Sequence, residues 1–330
     1  MNTTMNASSC TTAMNSTVYK IGATIAYCTI TIVSLVGNSC IGMTFYRTRT
    51  LRKPINFFII NMAISDLLTP MVFVMPNVRD LYLDSWLVTD NIGKTLCKVL
   101  PVLADVSLLV SVQSLVLISV DRFGAVVFPF RSLFITSKRC PLLILATWIV
   151  AMASMFPLPL ADILRQHQRE AVRCFSLWDE TVEKVDWLAG YLLAVYVAFV
   201  FIPVALLIII YSIIFIKLKS RQIPGEQLAV SLEKQRAIQN AKVLKMALAI
   251  VLGFILCWLP STIDYFLRFV VRDSYACGYV MFTEISRFFL ASACAVNPCI
   301  CFTFNGNYRE GLKRLLKCCS SQVAEQAVVH

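Results

Sequence analysis

The amino-acid sequence predicts an all-α membrane protein, a bundle of seven transmembrane helices followed by a short amphipathic helix on the membrane surface. The 330 residues are 58% hydrophobic and 15% charged, with a mean hydropathy of +0.72. Soluble domains carry about a quarter charged residues. Apolar runs that approach the roughly 20 residues needed to cross a bilayer recur seven times. They lie at about 21–45, 55–79, 97–127, 139–160, 187–216, 241–269 and 279–302.

The distribution of charge predicts the orientation of these spans. If the amino terminus lies outside, 19 of the 30 Lys and Arg residues fall at the inner ends and inner loops, against five acids there. This arrangement satisfies the positive-inside rule. The net charge of +11 therefore reflects topology, and a nucleic-acid partner is not indicated. We expect a multi-pass protein of the plasma membrane.

The amino-terminal tail, residues 1–20, is predicted to be extracellular and glycosylated. Asn2, Asn6 and Asn15 each open an Asn-x-Ser/Thr acceptor. No charged leader with a cleavage site precedes span one, so that span is expected to act as the targeting signal. The rest divides into a seven-transmembrane domain (21–304), an amphipathic helix with cysteines (305–319) and a short cytoplasmic tail (320–330).

The 13 cysteines divide by compartment. Cys10, Cys97, Cys174 and Cys277 lie on the outer side, where four thiols allow three disulfide connectivities. The favoured pair joins Cys97, at the outer start of span three, to Cys174 in the second outer loop. Cys10 and Cys277 then form a second bridge or stay free. The last two, Cys318 and Cys319, follow the basic amphipathic segment, a position suited to palmitoylation and contact with membrane lipid.

Polar residues inside the apolar spans indicate functional sites, because ionisable groups in a membrane need partners or water. An apolar run from Pro101 to Val120 is followed by Asp121-Arg122, and Pro129 predicts a helix end. Asp66 lies in mid-span two. Asn38 of span one is expected to pair with it.

Taken together in order, these landmarks resemble the rhodopsin-like (class A) G-protein-coupled receptors over about residues 37–319. The matching positions are Gly37-Asn38, Asp66, Cys97 with Cys174, Asp121-Arg122, Trp148, Pro203, Tyr211, Cys257-Trp258-Leu259-Pro260 and Asn297-Pro298.

The resemblance implies a receptor that responds to an extracellular ligand and acts on a heterotrimeric G protein and an arrestin. It assigns the G-protein switch to Asp121, Arg122, Phe123, Tyr211, Asn297, Pro298 and Cys301. It assigns repacking in the core to Val112, Pro203, Phe254 and Trp258, with Trp258 as the floor of the ligand pocket. It also implies a sodium ion held by Asp66, Ser111 and Asn297; no other cofactor is expected.

Several positions depart from the family pattern. Phe123 stands where a tyrosine is usual, and Cys301 replaces the tyrosine that closes the Asn-Pro-x-x-Tyr motif. Asn240 takes the place of the acid that often reaches Arg122 from span six. Ala293 and Cys294 occupy positions that are commonly polar around the sodium ion. These changes predict a loosely held resting state with appreciable basal signalling.

Helical spacing gives the candidate ligand-binding residues, counted from Trp258 on span six, from Asn297 or Cys294 on span seven, and along the face of Ala104 and Leu108 on span three. They are Ala104, Asp105, Leu108, Trp258, Ser261, Thr262, Tyr265, Thr283, Glu284 and Arg287. No lysine occurs in 279–302, so a retinal Schiff base is excluded. Amine receptors keep an aspartate at the position of Ala104, and Asp105 lies about 100° further round the helix, which disfavours an amine.

Arg287 is the most informative pocket residue, because a guanidinium in the outer third of span seven seeks an anion or carbonyl groups. Asp105 or Glu284 could neutralise it internally, or it could bind a ligand. A rim of both signs, including Arg173, Asp264 and Arg268, suits a short peptide, and we predict a peptide receptor. The alternatives are a receptor for a small organic ligand such as a biogenic amine, and a constitutively active or decoy receptor.

Two other classes of protein are disfavoured by the sequence. An enzyme would need a nucleophile with its base or a set of metal ligands, yet the two histidines, His167 and His330, lie in a loop and at the chain end. A transporter would be expected to show inverted repeats and interrupted helix pairs, and no such repeat is found.

Overall fold

The computed structural model describes residues 15–82, 91–128, 135–157, 186–220, 229–270, 277–315 and 317. Throughout this part of the chain the secondary structure is helical, without strands. Seven helices correspond to the seven predicted spans, and an eighth, α8, covers 306–315. The predicted fold class is therefore confirmed.

The spans have the following bounds. Helix α1 covers Thr17–Arg47, α2 begins with Pro54–Thr69, α3 covers Asn91–Val127, α4 Cys140–Met155, α5 begins with Asp186–Tyr196, α6 covers Ala229–Val270 and α7 Cys277–Phe304. Six of these spans have the length and apolarity to cross a membrane, while α4 is apolar but shorter. Helix α6 begins 12 residues before the predicted span, and Pro101 lies within α3.

Prolines produce the irregular turns in α2 and α5. Helix α2 passes through a π-helical turn at Pro70–Val74 before Met75–Asp80, as Pro70 and Pro76 led us to expect for a bend near its outer end. Helix α5 passes through a similar turn at Val197–Phe201 before Ile202–Ser220. Because proline lacks an N–H group, it breaks the regular ladder of hydrogen bonds, and a wider turn takes up the mismatch.

A polar hub joins α2, α3 and α4. The Asn61 amide nitrogen donates to Ser114 Oγ at 2.9 Å and to Thr147 Oγ1 at 3.1 Å. Its oxygen accepts from Trp148 Nε1 at 2.9 Å. All of the polar atoms of this amide side chain are thus satisfied. The hub fixes three helices in one register, since buried polar groups need partners.

Glycines allow close helix crossings at two places. A Cβ atom on Gly37 of α1 would lie 2.6 Å from Pro298 Cβ of α7, and one on Gly253 of α6 would lie 2.8 Å from Val296 Cγ1. Both distances are far inside van der Waals contact. Helix α7 therefore packs tightly between α1 and α6, and this packing positions the polar residues on α7.

Candidate functional site

The inner end of α3 carries the charge pair that the sequence singled out. Arg122 Nε donates to Asp121 Oδ2 at 3.1 Å, and Nη2 of the same guanidinium contacts the same oxygen. The carboxylate of Asp121 is buried, whereas 15% of the Arg122 side chain is exposed. The arginine is thus held by its own neighbour in the sequence and faces the inner side of the bundle.

Tyr211 of α5 and Phe123 of α3 lie beside this pair. The Tyr211 hydroxyl is 3.3 Å from Ser119 Oγ and interacts electrostatically with Arg122. The Phe123 ring packs edge-on against Phe128 and belongs to an apolar cluster with Val126, Ile210 and Ile214. The missing hydroxyl at position 123 is therefore replaced by apolar packing between α3 and α5.

A buried polar cluster lies in mid-membrane between α2, α3 and α7. Asp66 Oδ2 accepts from the Asn297 amide at 2.7 Å, and Oδ1 accepts from Ser111 Oγ at 3.2 Å. Ser65 Oγ lies 2.7 Å from Ser111 Oγ. The three residues predicted to hold sodium are therefore brought together, and each oxygen of the carboxylate has a hydrogen-bond donor.

The donor set fits a hard cation. Asp66 and Ser111 offer oxygen atoms, the ligand type that such cations prefer. The Asn297 amide presents its nitrogen to Asp66, so its oxygen becomes available by rotation of the amide group. Ala293 and Cys294 contribute no side-chain oxygen.

The predicted contact between Asn38 and Asp66 is wrong. The Asn38 amide donates to the Ser34 carbonyl at 2.9 Å and to the Cys294 carbonyl of α7 at 3.0 Å. Ser34 Oγ instead donates to the backbone carbonyl of Asp66 at 3.0 Å. Because the side chain of Asn38 is short, it reaches the nearest backbone oxygens rather than the carboxylate.

Aromatic packing marks the core between the two polar regions. The rings of Phe254 and Trp258 are 4.9 Å apart at an angle of 31°. Val112 of α3 lies in the same buried cluster, and Pro203 of α5 is half-buried. The Trp258 indole nitrogen is buried without a hydrogen-bond partner among the residues that the structure describes. Since a buried indole N–H usually has a partner, this donor is suited to a ligand or water.

The outer halves of α6 and α7 are joined by a polar seam. Ser261 Oγ donates to the Ser286 carbonyl at 2.9 Å, and Thr283 Oγ1 donates to Asp264 Oδ1 at 2.8 Å. A weaker contact of 3.5 Å links Cys257 Sγ to Ser292 Oγ. The hydroxyl groups predicted at positions 261 and 283 to face a ligand are therefore engaged between the helices.

The expectation that Asp264 belongs to an exposed rim is wrong, because its side chain is 4% exposed and faces α7. Its spacing from Cys257 and Ser261, seven and three residues, places all three on one helical face. That periodicity was the signal by which the sequence could have assigned Asp264 to the seam.

Arg287 forms an ion pair with Glu284, whose Oε1 lies 3.0 Å from Nη1. The pair interacts electrostatically with Tyr27 of α1, whose ring packs edge-on against Phe288. One of the two predicted internal partners, Glu284, is thus in place. A third of the arginine side chain remains exposed, so the ion pair does not fully enclose the guanidinium.

The other predicted pocket residues lie on the same side of the bundle. Ala104 is buried on α3, while Asp105 and Leu108 are half-buried. Thr262 Oγ1 accepts from the Tyr196 hydroxyl at 2.6 Å, which links α6 to α5. The side chain of Tyr265 lies outside the described part of the chain.

Comparison with known proteins decides the family. The family model described as "7 transmembrane receptor (rhodopsin family)" matches residues 37–300. The chain belongs to the rhodopsin-like family of G-protein-coupled receptors.

Several curated proteins are similar to this receptor over most of its length. The RYamide receptor of Drosophila melanogaster is 28% identical over 92% of this chain and 64% of its own length. The human substance-K receptor is 27% identical over 89% of this chain and 72% of its own. The allatostatin-A receptor of Bombyx mori is 29% identical over 88% of this chain and 78% of its own length. The receptor thus spans about two thirds to four fifths of these relatives.

Predicted modification sites of the receptor lie mainly outside the described residues. This holds for Asn2, Asn6, Cys10, Cys174, Cys318 and Cys319, and for the side chains of Cys97 and Cys277. Asn15 is exposed at the start of α1. The side chain of Asn240 also falls outside this part of the receptor.

Proposed function

We propose that this receptor binds a short peptide at the outer face of its bundle and activates a heterotrimeric G protein at its inner face. It would do so in the plasma membrane with its amino terminus outside. The observation that carries the proposal is the inner pair Asp121–Arg122. A guanidinium held by an adjacent acid can exchange that acid for an acceptor on a partner, because charge-assisted hydrogen bonds depend on close contact.

Three properties support a peptide as the ligand. The relatives named above are receptors for RYamide, substance K and allatostatin A, which are peptides. The position that holds the counter-ion in amine receptors is the buried, apolar Ala104. The outer half of the bundle also has a partly exposed cation in Arg287, and Trp258 below it has a buried indole N–H, groups that suit carbonyl and carboxylate acceptors on a peptide.

The inner face supports the G-protein part of the proposal. Val112 and Phe254 occupy one core cluster with Trp258, so a change at the pocket floor alters packing between α3 and α6. Outward movement of the inner half of α6 would then open the space beside Arg122. Arrestin binding at the same face and lipid contact through palmitoylated Cys318 and Cys319 belong to the same proposal.

A sodium ion completes the proposed resting state. Asp66 and Ser111 would hold it together with water, and Asn297 would contribute after rotation of its amide. The support is the convergence of these residues from α2, α3 and α7 on one buried carboxylate.

A peptide-library screen with a second-messenger readout tests the function. We expect at least one peptide to raise the signal, and Arg122→Ala to remove that response at unchanged surface expression. A response to amines in the absence of any peptide response would favour the amine alternative. A ligand-independent signal that Arg122→Ala abolishes, without any ligand response, would favour the constitutively active alternative.

The active peptide then tests the pocket. Arg287→Ala should lower its potency about tenfold or more, as expected for loss of a charged hydrogen bond. Ile285→Ala, on the exposed face of the same helix, should leave potency unchanged. If Arg287→Ala and Asp105→Asn both leave potency unchanged, the assigned pocket is wrong.

A further inference from the structure

A chain of hydroxyl groups leads from the backbone of α2, by way of α3, to the carboxylate of Asp66. Ser65 Oγ lies 2.8 Å from the Met62 carbonyl oxygen of its own helix and 2.7 Å from Ser111 Oγ of α3. Ser111 Oγ in turn lies 3.2 Å from Asp66 Oδ1. Both serines and the aspartate are buried. Four oxygen atoms are therefore joined by three successive hydrogen-bond contacts.

This chain has more contacts than protons. Each serine hydroxyl has one proton to donate, whereas an ionised Asp66 and the Met62 carbonyl only accept. Ser65 and Ser111 can therefore fill only two of the three contacts at one time. The middle contact has to be one of them, because two hydroxyl oxygens 2.7 Å apart repel each other unless a proton lies between them. The two protons thus point either both towards Asp66 or both towards Met62.

The charge beside Ser111 decides between these two directions. Without a cation, Ser65 donates to Ser111 and Ser111 donates to Asp66, which balances the buried negative charge. The Met62 carbonyl loses little, because a carbonyl inside a helix also accepts the backbone N–H four residues further on. With a cation, the Ser111 oxygen has to turn its lone pairs towards the positive charge and its proton away. Ser111 then donates to Ser65, and Ser65 donates to the Met62 carbonyl.

Ser111 needs Ser65 for this reversal. Three other serines of α3 donate to carbonyl groups of their own helix at 2.7–2.9 Å, namely Ser107, Ser114 and Ser119. Within the described part of the chain, the hydroxyl contacts of Ser111 run to Ser65 and Asp66 instead. Ser65 Oγ is thus the acceptor that is already in place for a proton turning away from Asp66.

We propose that Ser65 is a positioning residue of the sodium site. It accepts the proton of Ser111 when the cation binds, and so allows Ser111 to change from a donor to Asp66 into a ligand of the cation. The inference rests on the sodium ion of the proposed function and goes beyond it by naming the residue that controls the hydrogen bonds of the site. Its test needs neither a peptide nor a G protein.

Thermal unfolding of the purified full-length receptor tests the role of Ser65. The melting temperature is measured while sodium chloride replaces N-methylglucamine chloride at constant ionic strength, and the sodium concentration at the midpoint of the rise is compared between variants. The wild type should melt higher as sodium increases. Ser65→Ala should raise the midpoint concentration about tenfold, because the buried proton of Ser111 loses its acceptor in the cation-bound state. A midpoint equal to that of the wild type would overturn the proposal and leave the sodium site standing.

A matched variant and a double variant separate this role from a merely structural one. Ser286→Ala removes another buried serine hydroxyl, which donates to the Phe282 carbonyl of its own helix, and it should keep the wild-type midpoint. Ser111→Ala should raise the midpoint at least as far as Ser65→Ala. The double variant should match Ser111→Ala, since Ser65 acts through Ser111. Equal shifts in Ser65→Ala and Ser286→Ala, or a further shift in the double variant, would contradict the role of Ser65.

The response of the wild type separates this inference from the proposed function. A wild-type melting temperature that does not change with sodium would contradict the sodium site, and the role of Ser65 would fail with it. The peptide screen and Arg122→Ala judge ligand binding and G-protein activation independently of sodium. A receptor that fails the screen can therefore still confirm the reversal at Ser65 in the melting experiment.

Discussion

At the scale of single residues, Asp66 shows how the bundle accommodates a charge. Its carboxylate is enclosed by donors from α3 and α7, an arrangement that balances a buried charge with hydrogen bonds. The same convergence makes this residue the point at which a bound cation would act on three helices together.

The sodium proposal leads to a prediction for Asp66→Asn. Sodium would hold α2, α3 and α7 in the resting arrangement, so replacing it by N-methylglucamine should raise ligand-free nucleotide exchange by about fivefold, within the usual range of coupling between sites. Asp66→Asn should abolish this sodium dependence. Asp264→Asn, which changes another buried acid, should retain it. Wild-type exchange that does not respond to sodium would contradict the site.

At the scale of helices, Asn61 of α2 holds neighbouring helices together through hydrogen bonds. Its single amide joins three elements, and the hydroxyl groups it binds also donate within their own helices. The indole of Trp148 has its hydrogen bond to Asn61 alone in the described chain. Removing the amide therefore leaves a half-buried indole N–H between α2 and α4 without its hydrogen-bond acceptor.

Asn61→Leu should destabilise the receptor. Losing the hub and leaving one donor unsatisfied costs about 1–3 kcal/mol, which corresponds to a melting temperature lower by roughly 4 °C or more. Asn77→Leu on the same helix is the control, because in the described part of the chain Asn77 donates only to the carbonyl of Phe73 within its own helix. Combining Asn61→Leu with Trp148→Phe should be less than additive; full additivity would refute the hub.

At the scale of the whole molecule, the sequence predicted the seven spans because hydropathy and helix length are local properties. It also predicted that Asp66, Ser111 and Asn297 would meet, through the family resemblance. It did not predict the burial of Asp264 or the backbone partner of Asn38, because both depend on how neighbouring helices are rotated. The sequence also did not predict the close contact of Gly311 with Thr44, where a Cβ atom would lie 2.2 Å from Thr44 Cγ2, because glycine has no side chain whose hydropathy indicates a buried face.

The close crossing of α1 and α7 leads to a prediction about the whole bundle. Gly37→Ala would place a methyl group against the rigid ring of Pro298, and overpacking of this kind costs about 1–3 kcal/mol. Surface expression and melting temperature should both fall. Gly42→Ala on the same helix meets no atom within 4 Å and should be tolerated. Equal behaviour of the two variants would contradict the crossing.

The bond from Asn38 to the Cys294 carbonyl also sets an order of assembly. The two residues are 256 positions apart, so the first helix to leave the ribosome receives its partner from the last. Until α7 enters the membrane, the Asn38 amide has only its acceptors on Ser34 of its own helix, and the notch at Gly37 is open. A nascent chain that ends before α7 therefore lacks both the Cys294 acceptor of the Asn38 amide and the Pro298 ring that fills the notch at Gly37.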